Sequence, residues 1–264
     1  MKSYTLTILA TIMVAVIPLL FLAEANADEI NAADVSEYQV LNRGSVEIQI
    51  DAAFDDWASA QNILVMGEDT WEPLGGNWDG PDDLTAELRV LYDADNLYFA
   101  LVVTDDEYVA EAGNPWSNDG AQIAIDTSAG TIPAGWPNDT THLYNFSIKD
   151  GWQKETGPFL GDSEIEMKRD EGAKQTLFEW RMPVEIIAEA GTKLEAGKKI
   201  AFAIIVNDSD QDAKGQKGWV GWGNHTIVYG KNPEEMKTLV LDPGSITAVD
   251  ALGKLTTTWG AIKQ

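Results

Sequence analysis

Apolar positions recur along this chain mostly with period two. Val46, Ile48 and Ile50 alternate with Glu47, Gln49 and Asp51, which predicts a half-buried strand. Across 86–92, Leu88, Val90 and Tyr92 fall on one face and Glu87, Arg89 and Leu91 on the other. The turn residues Asp93-Ala94-Asp95-Asn96 follow, and a strand pattern resumes over 97–103, so the pair predicts a hairpin. Further short stretches rich in β formers lie at 121–126, 142–148, 176–181, 200–207, 219–222 and 237–241, each bounded by Gly, Asp, Asn or Pro. Their number and spacing predict an all-β fold, an antiparallel two-sheet β-sandwich of jelly-roll-like form. The one helix candidate, 183–190, opens on Pro183, which a first helical turn tolerates.

The two ends of the chain have a different character. Met1-Lys2 carries one positive charge, an apolar stretch runs from Tyr4 to Ala23, and Ala25-Asn26-Ala27 offers a small-x-small cleavage site. This predicts a signal peptide over 1–27 and a bacterial protein that is secreted or periplasmic. A retained anchor is the rival, since about 20 apolar residues span a bilayer, but Pro18 and the cleavage site favour removal. No later segment is apolar and long enough to insert in a membrane. Residues 28–44 are polar without periodicity and read as a tether, leaving 45–243 for the sandwich. The threonine-rich 255–259 makes 244–264 either an edge strand or an attachment tail.

Composition narrows the chemistry. A net charge of −25 repels nucleic acid and anionic lipid, and suits a neutral ligand or calcium; halophilic adaptation gives the same excess. With no cysteine, an exported chain must rely on its core, which 44% hydrophobic residues can supply. Thiol catalysis, cysteine-ligated zinc and iron–sulfur clusters are excluded. His142 and His225 have nothing that pairs them, and neither a Gly-x-Ser-x-Gly elbow nor a His-Glu-x-x-His spacing occurs. Two carboxylates suffice for glycoside cleavage, but among 43 acidic residues some pair always qualifies. The expectation is a protein that is not an enzyme.

The ten tryptophans say more. Trp71, Trp78, Trp116 and Trp136 sit in segments rich in Gly, Asn, Asp and Pro. An aromatic face beside polar groups is what a sugar ring needs, because its C–H face packs on the ring while its hydroxyls bond nearby amides. The competing structural role is plugging the sandwich ends.

Five segments in order resemble one family. Ile50-Asp51-Ala52-Ala53-Phe54-Asp55-Asp56-Trp57 resembles the opening of family nine carbohydrate-binding modules. Arg89-Val90-Leu91-Tyr92-Asp93 to Leu97-Tyr98, with Val103-Thr104-Asp105, is similar to its central hairpin, and the segment 114–126 (NPWSNDGAQIAID) to the next element. The segment 204–210 (IIVNDSD) and Gly218-Trp219-Val220-Gly221-Trp222 resemble its late strands. The resemblance implies a β-sandwich that supports polysaccharide catabolism by binding a saccharide or polysaccharide between two aromatic rings, with structural calcium nearby. It places Trp116 as one wall and the second wall at Gly230, beside which Tyr229 is the candidate ring. It aligns Gln122 with a family carboxylate and Asn145 with a family basic residue, giving a neutral floor.

The spacing Asp208-x-Asp210-x-Asp212 superficially resembles an oxygen-ligand calcium loop, although Ala213 and Trp219 stand where an EF-hand needs glycine and glutamate. These aspartates are therefore candidate calcium ligands, with solvated turns as the alternative. A calcium-stabilised structural or adhesion module that has lost sugar binding is the second reading. A sister branch of the fold binds haem, for which Met66, Met167, Met182 and His142 are the residues available.

Overall fold

The computed structural model describes residues 28–110, 115–127, 141–148, 151–156, 165–210, 215–229 and 231–247. The first half holds strands β1 (Asp28–Asn31), β2 (Glu37–Asn42), β3 (Asn62–Met66), β4 (Glu72–Pro73), β5 (Leu84–Tyr92), β6 (Asn96–Asp105) and β7 (Gly120–Asp126). The second holds β8 (Thr141–Ser147), β9 (Gly151–Thr156), β10 (Ile165–Asp170), β11 (Gln175–Pro183), β12 (Lys199–Asp208), β13 (Gly218–Trp222) and β14 (Lys237–Ser245). One four-residue helix, α1 (Val184–Ile187), follows Pro183, half the length that the sequence pattern predicts.

Ten of the fourteen strands form one continuous hydrogen-bonded path, β10-β11-β6-β5-β2-β14-β12-β7-β8-β9, that folds back on itself, with β1, β3, β4 and β13 paired alongside it. Phe99 of β6 stacks on Phe202 of β12 at 5.5 Å, and Phe146 of β8 meets Trp180 of β11 at 5.2 Å. Rings from the two halves of the path thus interdigitate, which makes the two layers of a sandwich. Strands β2 and β14 carry the ladder from one layer to the other. Between the layers lie Leu84, Leu88, Leu101, Ile123, Tyr144, Ile204 and Val206, all without solvent contact.

Most ladders are antiparallel, as expected, but β1–β3, β2–β5 and β2–β14 are parallel. The last two correct the reading of 28–44 as a tether. Tyr38 and Val40 are buried while Glu37 and Gln39 are exposed, so the period of two is present but spans only two apolar positions. The segment 46–50 differs the other way. Val46 and Ile48 are buried and their neighbours exposed, yet no ladder forms there. They pack instead with Phe54, Trp57, Tyr98 and Ala100 in a second core on the outer face of β6. Strand β14 runs to Ser245 and Ile246 joins that second core, so the sandwich extends past 243. The 255–259 segment and the leader 1–27 lie outside the described residues. Among the described residues no helix is long and apolar enough to cross a membrane.

Candidate functional site

The outer face of β8, β7, β12 and β13 carries the residues of interest in rows set by ladder register. Antiparallel partners directly opposite share a face. Asn145 pairs with Gln122, Gln122 with Ile205, and Ile205 with Gly221, which makes one row. The next row is Gly120, Asn207 and Trp219. Below them Ala124, Leu143 and Ala203 form a small apolar patch with Ile205 and Trp219, covered by Ile227 and Met236.

Side-chain amides cross these rows. Asn207 Oδ1 accepts from Gln122 Nε2 at 3.3 Å and from Gln216 Nε2 at 2.6 Å. Asn207 Nδ2 donates to the carbonyl of Trp116 at 3.5 Å. Asn145 is 2% exposed, and its Oδ1 finds no partner among the described residues. The buried indole Nε1 of Trp219 is likewise unpartnered. A buried polar atom without a partner costs about 1–3 kcal/mol, so both atoms carry bonding capacity that the described residues leave unused.

Two exposed aromatic residues are anchored to this floor, Trp116 by its backbone and Tyr229 by its ring. Leu74, Trp116 and Tyr229 are the exposed large apolar side chains among the described residues, at 46%, 45% and 65%. Trp116 lies on the 3-10 turn Pro115–Ser117 just before β7. Besides Asn207, that turn is held by Ser209 Oγ, which donates to the Ser117 carbonyl at 3.2 Å. Asp119 accepts from the backbone N–H of Ser209 at 2.7 Å and from that of Val109. Tyr229 packs at 5.3 Å on Trp219, which stands opposite Asn207 in the ladder. Both rings are therefore tied to one row of the sheet, Trp116 through Asn207 and Tyr229 through Trp219.

The Tyr229 loop is fastened to the sheet and strained at its tip. Gly221 lets the loop approach, since a Cβ there would lie 2.3 Å from Asn224 Oδ1. Asn224 Nδ2 donates to Glu72 Oε1 at 2.8 Å, and β4 pairs Glu72 with Trp219. His225 Nε2 lies 2.9 Å from Glu72 Oε2 and its Nδ1 lies 3.3 Å from Glu235 Oε2. Tyr229 itself takes φ +50°, a left-handed conformation that costs a bulky residue about 1–3 kcal/mol and clusters at ligand clamps.

The remaining candidates sort cleanly. Trp71 and Trp78 pack against the main core, and Trp78 Nε1 donates to the Leu84 carbonyl at 2.8 Å, so both serve the fold. Trp136 lies outside the described residues. Met66 and Met182 are fully buried among apolar side chains, Met167 packs at the core edge, and His142 is buried on β8.

The calcium candidates are only partly brought together. Asp208 and Asp210 meet Asp83, with carboxylate oxygens of all three within 4.8 Å of one another, while Asp212 lies outside the described residues. The space between them holds the ammonium of Lys217, at 2.9 Å from Asp83, 2.7 Å from Asp210 and 3.4 Å from Asp208. Calcium takes six to eight oxygens at about 2.3–2.6 Å, and a second cation at this point would sit against the ammonium. With Lys217 in place the residues do not fit the ion that the acidic spacing predicts.

Nearby, burial pushes Asp208 up to about 7 despite Lys217, and pushes Asp105 up to about 7 against the pull of Arg169, with Asp208 adding to it. Burial also raises Asp119 well above the usual carboxylate range, helped by the charges of Asp105 and Asp208.

Comparison with known proteins now bears on the identity. The profile of the carbohydrate family 9 binding domain-like family matches residues 50–243. The chain belongs to that family. Endo-1,4-beta-xylanase A from Thermotoga neapolitana and the enzyme of the same name from Thermotoga maritima are each 27% identical over 163 residues. That stretch is 60% of this chain but 14% of either xylanase, so the match concerns a small part of a much longer protein. Among solved structures, a family nine module from Caldicellulosiruptor kristjanssonii in complex with glucose superposes with TM-score 0.58 at 16% identity, over 81% of this chain and 99% of that one. Its complex with cellotriose gives 0.60 at 16% identity, over 81% and 97%. A further solved structure, from Bacteroides uniformis, gives 0.51 at 11% identity, over 78% and 99%. These neighbours bear out the β-sandwich.

Sequence reasoning singled out Gln122 and Asn145, which the ladder sets opposite each other, and Trp116 and Tyr229, which are exposed. It missed Asn207 and Gln216, which complete the amide floor. Asn207 ends an apolar strand run and opens the polar run Asp208-Ser209-Asp210, a signal that a side chain there leaves the core.

Proposed function

We propose that this chain is a non-catalytic, exported binding module that holds a neutral saccharide on the face between Trp116 and Tyr229. The observation that carries the reading is the floor between those rings. Gln122, Asn145, Asn207 and Gln216 are uncharged amides, and Asn145 Oδ1 is buried with no partner among the described residues. Sugar hydroxyls donate and accept at such groups, while the flat C–H face of a pyranose stacks on indole or phenol. Glucose and cellotriose, the ligands of the structural neighbours, are the first saccharides to try. An acidic molecule also disfavours uronic acids.

Titration calorimetry with glucose and cello-oligosaccharides tests this. Weak, saturable binding is expected, and Trp116→Ala should lower affinity at least tenfold, about 1.4 kcal/mol or more, with an unchanged melting midpoint. If a panel of neutral glycans shows no binding, or Trp116→Ala binds as well as the parent, the reading is wrong. Export rests on the leader pattern of residues 1–27, and mass spectrometry should find a mature chain beginning at Asp28.

A further inference from the structure

We propose that Lys217 is a built-in counter-cation: its ammonium takes the place of a divalent metal ion between Asp83, Asp208 and Asp210, and removing it would open a calcium site. The three carboxylates come from two segments far apart in the chain. Asp83 precedes β5, Asp208 ends β12, and Asp210 lies in the loop beyond. Their convergence within 4.8 Å is the arrangement a hard divalent cation selects. Repulsion among them in a buried place requires positive charge between them, and Lys217 supplies it with a side chain only 8% exposed.

The lysine is held in that position by its own backbone. Its N–H donates to the Asp208 carbonyl at 2.7 Å, and its carbonyl accepts from Leu74 at 2.7 Å and Gly76 at 2.9 Å. Gly76 has no Cβ to collide with Lys217, where one would lie 2.6 Å from the lysine Cβ. Burial works against the charge, but hydrogen bonds to Asp210 and Asp83 keep the ammonium protonated far above neutral pH.

A second observation marks the position as a ligand cage rather than an ordinary ion pair. Asp208 is fully buried, and its Oδ1 has no hydrogen-bond donor among the described residues. One ammonium offers three N–H donors, and a cage of three carboxylates presents six oxygens. A divalent ion, with its higher coordination number, would engage the oxygens that a lysine leaves bare.

The test uses the mature protein, calcium and a chelator. Wild-type melting curves with 2 mM calcium and with excess chelator should coincide. Lys217→Ala should melt lower in chelator and recover by about 5 °C in calcium, through binding to the folded state alone. Calorimetry should find one more calcium bound per chain in Lys217→Ala than in the parent. Adding Asp208→Asn to it should remove that extra site. Lys217→Arg keeps the charge and should fold without metal. The proposal is overturned if chelator destabilises wild type and calcium restores it, or if Lys217→Ala gains no calcium. It is overturned equally if Lys217→Arg folds only with the ion.

Discussion

Glu179 on β11 allows a quantitative test of how the opening segment of the domain is held. The residue has no solvent contact, yet all its bonds run to one loop. Oε2 accepts from the backbone of Asp51 at 2.9 Å and Ala52 at 2.8 Å, and Oε1 accepts from Trp57 Nε1 at 2.7 Å. Burial raises its pKa, and these three donors pull it back down. In Glu179→Gln the amide oxygen can serve the two backbone donors, which leaves the NH2 group facing the indole N–H. Donor then meets donor, at a cost of about 1–3 kcal/mol, partly offset because a neutral amide is easier to bury than a carboxylate. Trp57→Phe removes the indole donor and, separately, leaves a gap in the second core. A double-mutant cycle cancels both the gap and the burial offset, and reports the indole–carboxylate bond together with the donor–donor contact that replaces it in Glu179→Gln. The coupling expected from a charge-assisted bond in a buried place is about 1.5–3 kcal/mol. Urea denaturation of the four proteins measures it, and at about 2–4 °C per kcal/mol for a chain of this size thermal melting gives a cross-check. A coupling within about 0.5 kcal/mol of zero would refute the argument that Glu179 anchors the loop through Trp57.

Stability should also depend on pH in a definite direction. Asp105 and Asp208, pushed up to about 7, and Asp119, also raised, keep protons that unfolded aspartates release near 4, at about 3.9. The folded state therefore binds more protons between those values, and stability falls as pH rises through about 7. Melting midpoints should drop from pH 5 to pH 8, less steeply in Asp208→Asn; a midpoint that climbs over that range contradicts the account. Gly221→Ala places a Cβ 2.3 Å from Asn224 Oδ1 and 2.5 Å from the Ile204 carbonyl, so the Tyr229 loop must lift or the strand must shift. A loss of roughly 1–3 kcal/mol in urea denaturation is expected, and an unchanged midpoint would mean the loop is not seated as described.

Much of this fold was legible because alternation over five or more residues is hard to satisfy any other way. The first strand of the 86–103 hairpin shows it, while β12, apolar on both faces at Ile204, Ile205 and Val206, was legible instead as a short apolar run bounded by polar residues. The misses have physical causes. In 46–50 the period of two records extended backbone buried on one side, and burial alone does not require a ladder partner. Strand β2 offers only Tyr38 and Val40, too few to separate a short strand from coil. At the site, the rings were visible in the sequence because exposed aromatics need a reason. Asn207 and Gln216 were not, since their role comes from facing Gln122 across β12. Lys217 was hidden for a similar reason: three aspartates two residues apart suggest an ion, and nothing local shows that a lysine seven residues beyond Asp210 folds back among them.

The seam between the layers sets the order in which this protein can be built. Strand β2 reaches β14 by pairing Glu37 with Thr238, partners about 200 positions apart in the chain. The last strand of the sheet in sequence is thus the partner of nearly the first, and β2 lacks one of its two neighbours until β14 has been made. Contacts this distant in sequence form slowly, because the intervening chain must be ordered before they are made. The sandwich cannot close before β14, which β2 needs in order to join the two layers, has been made.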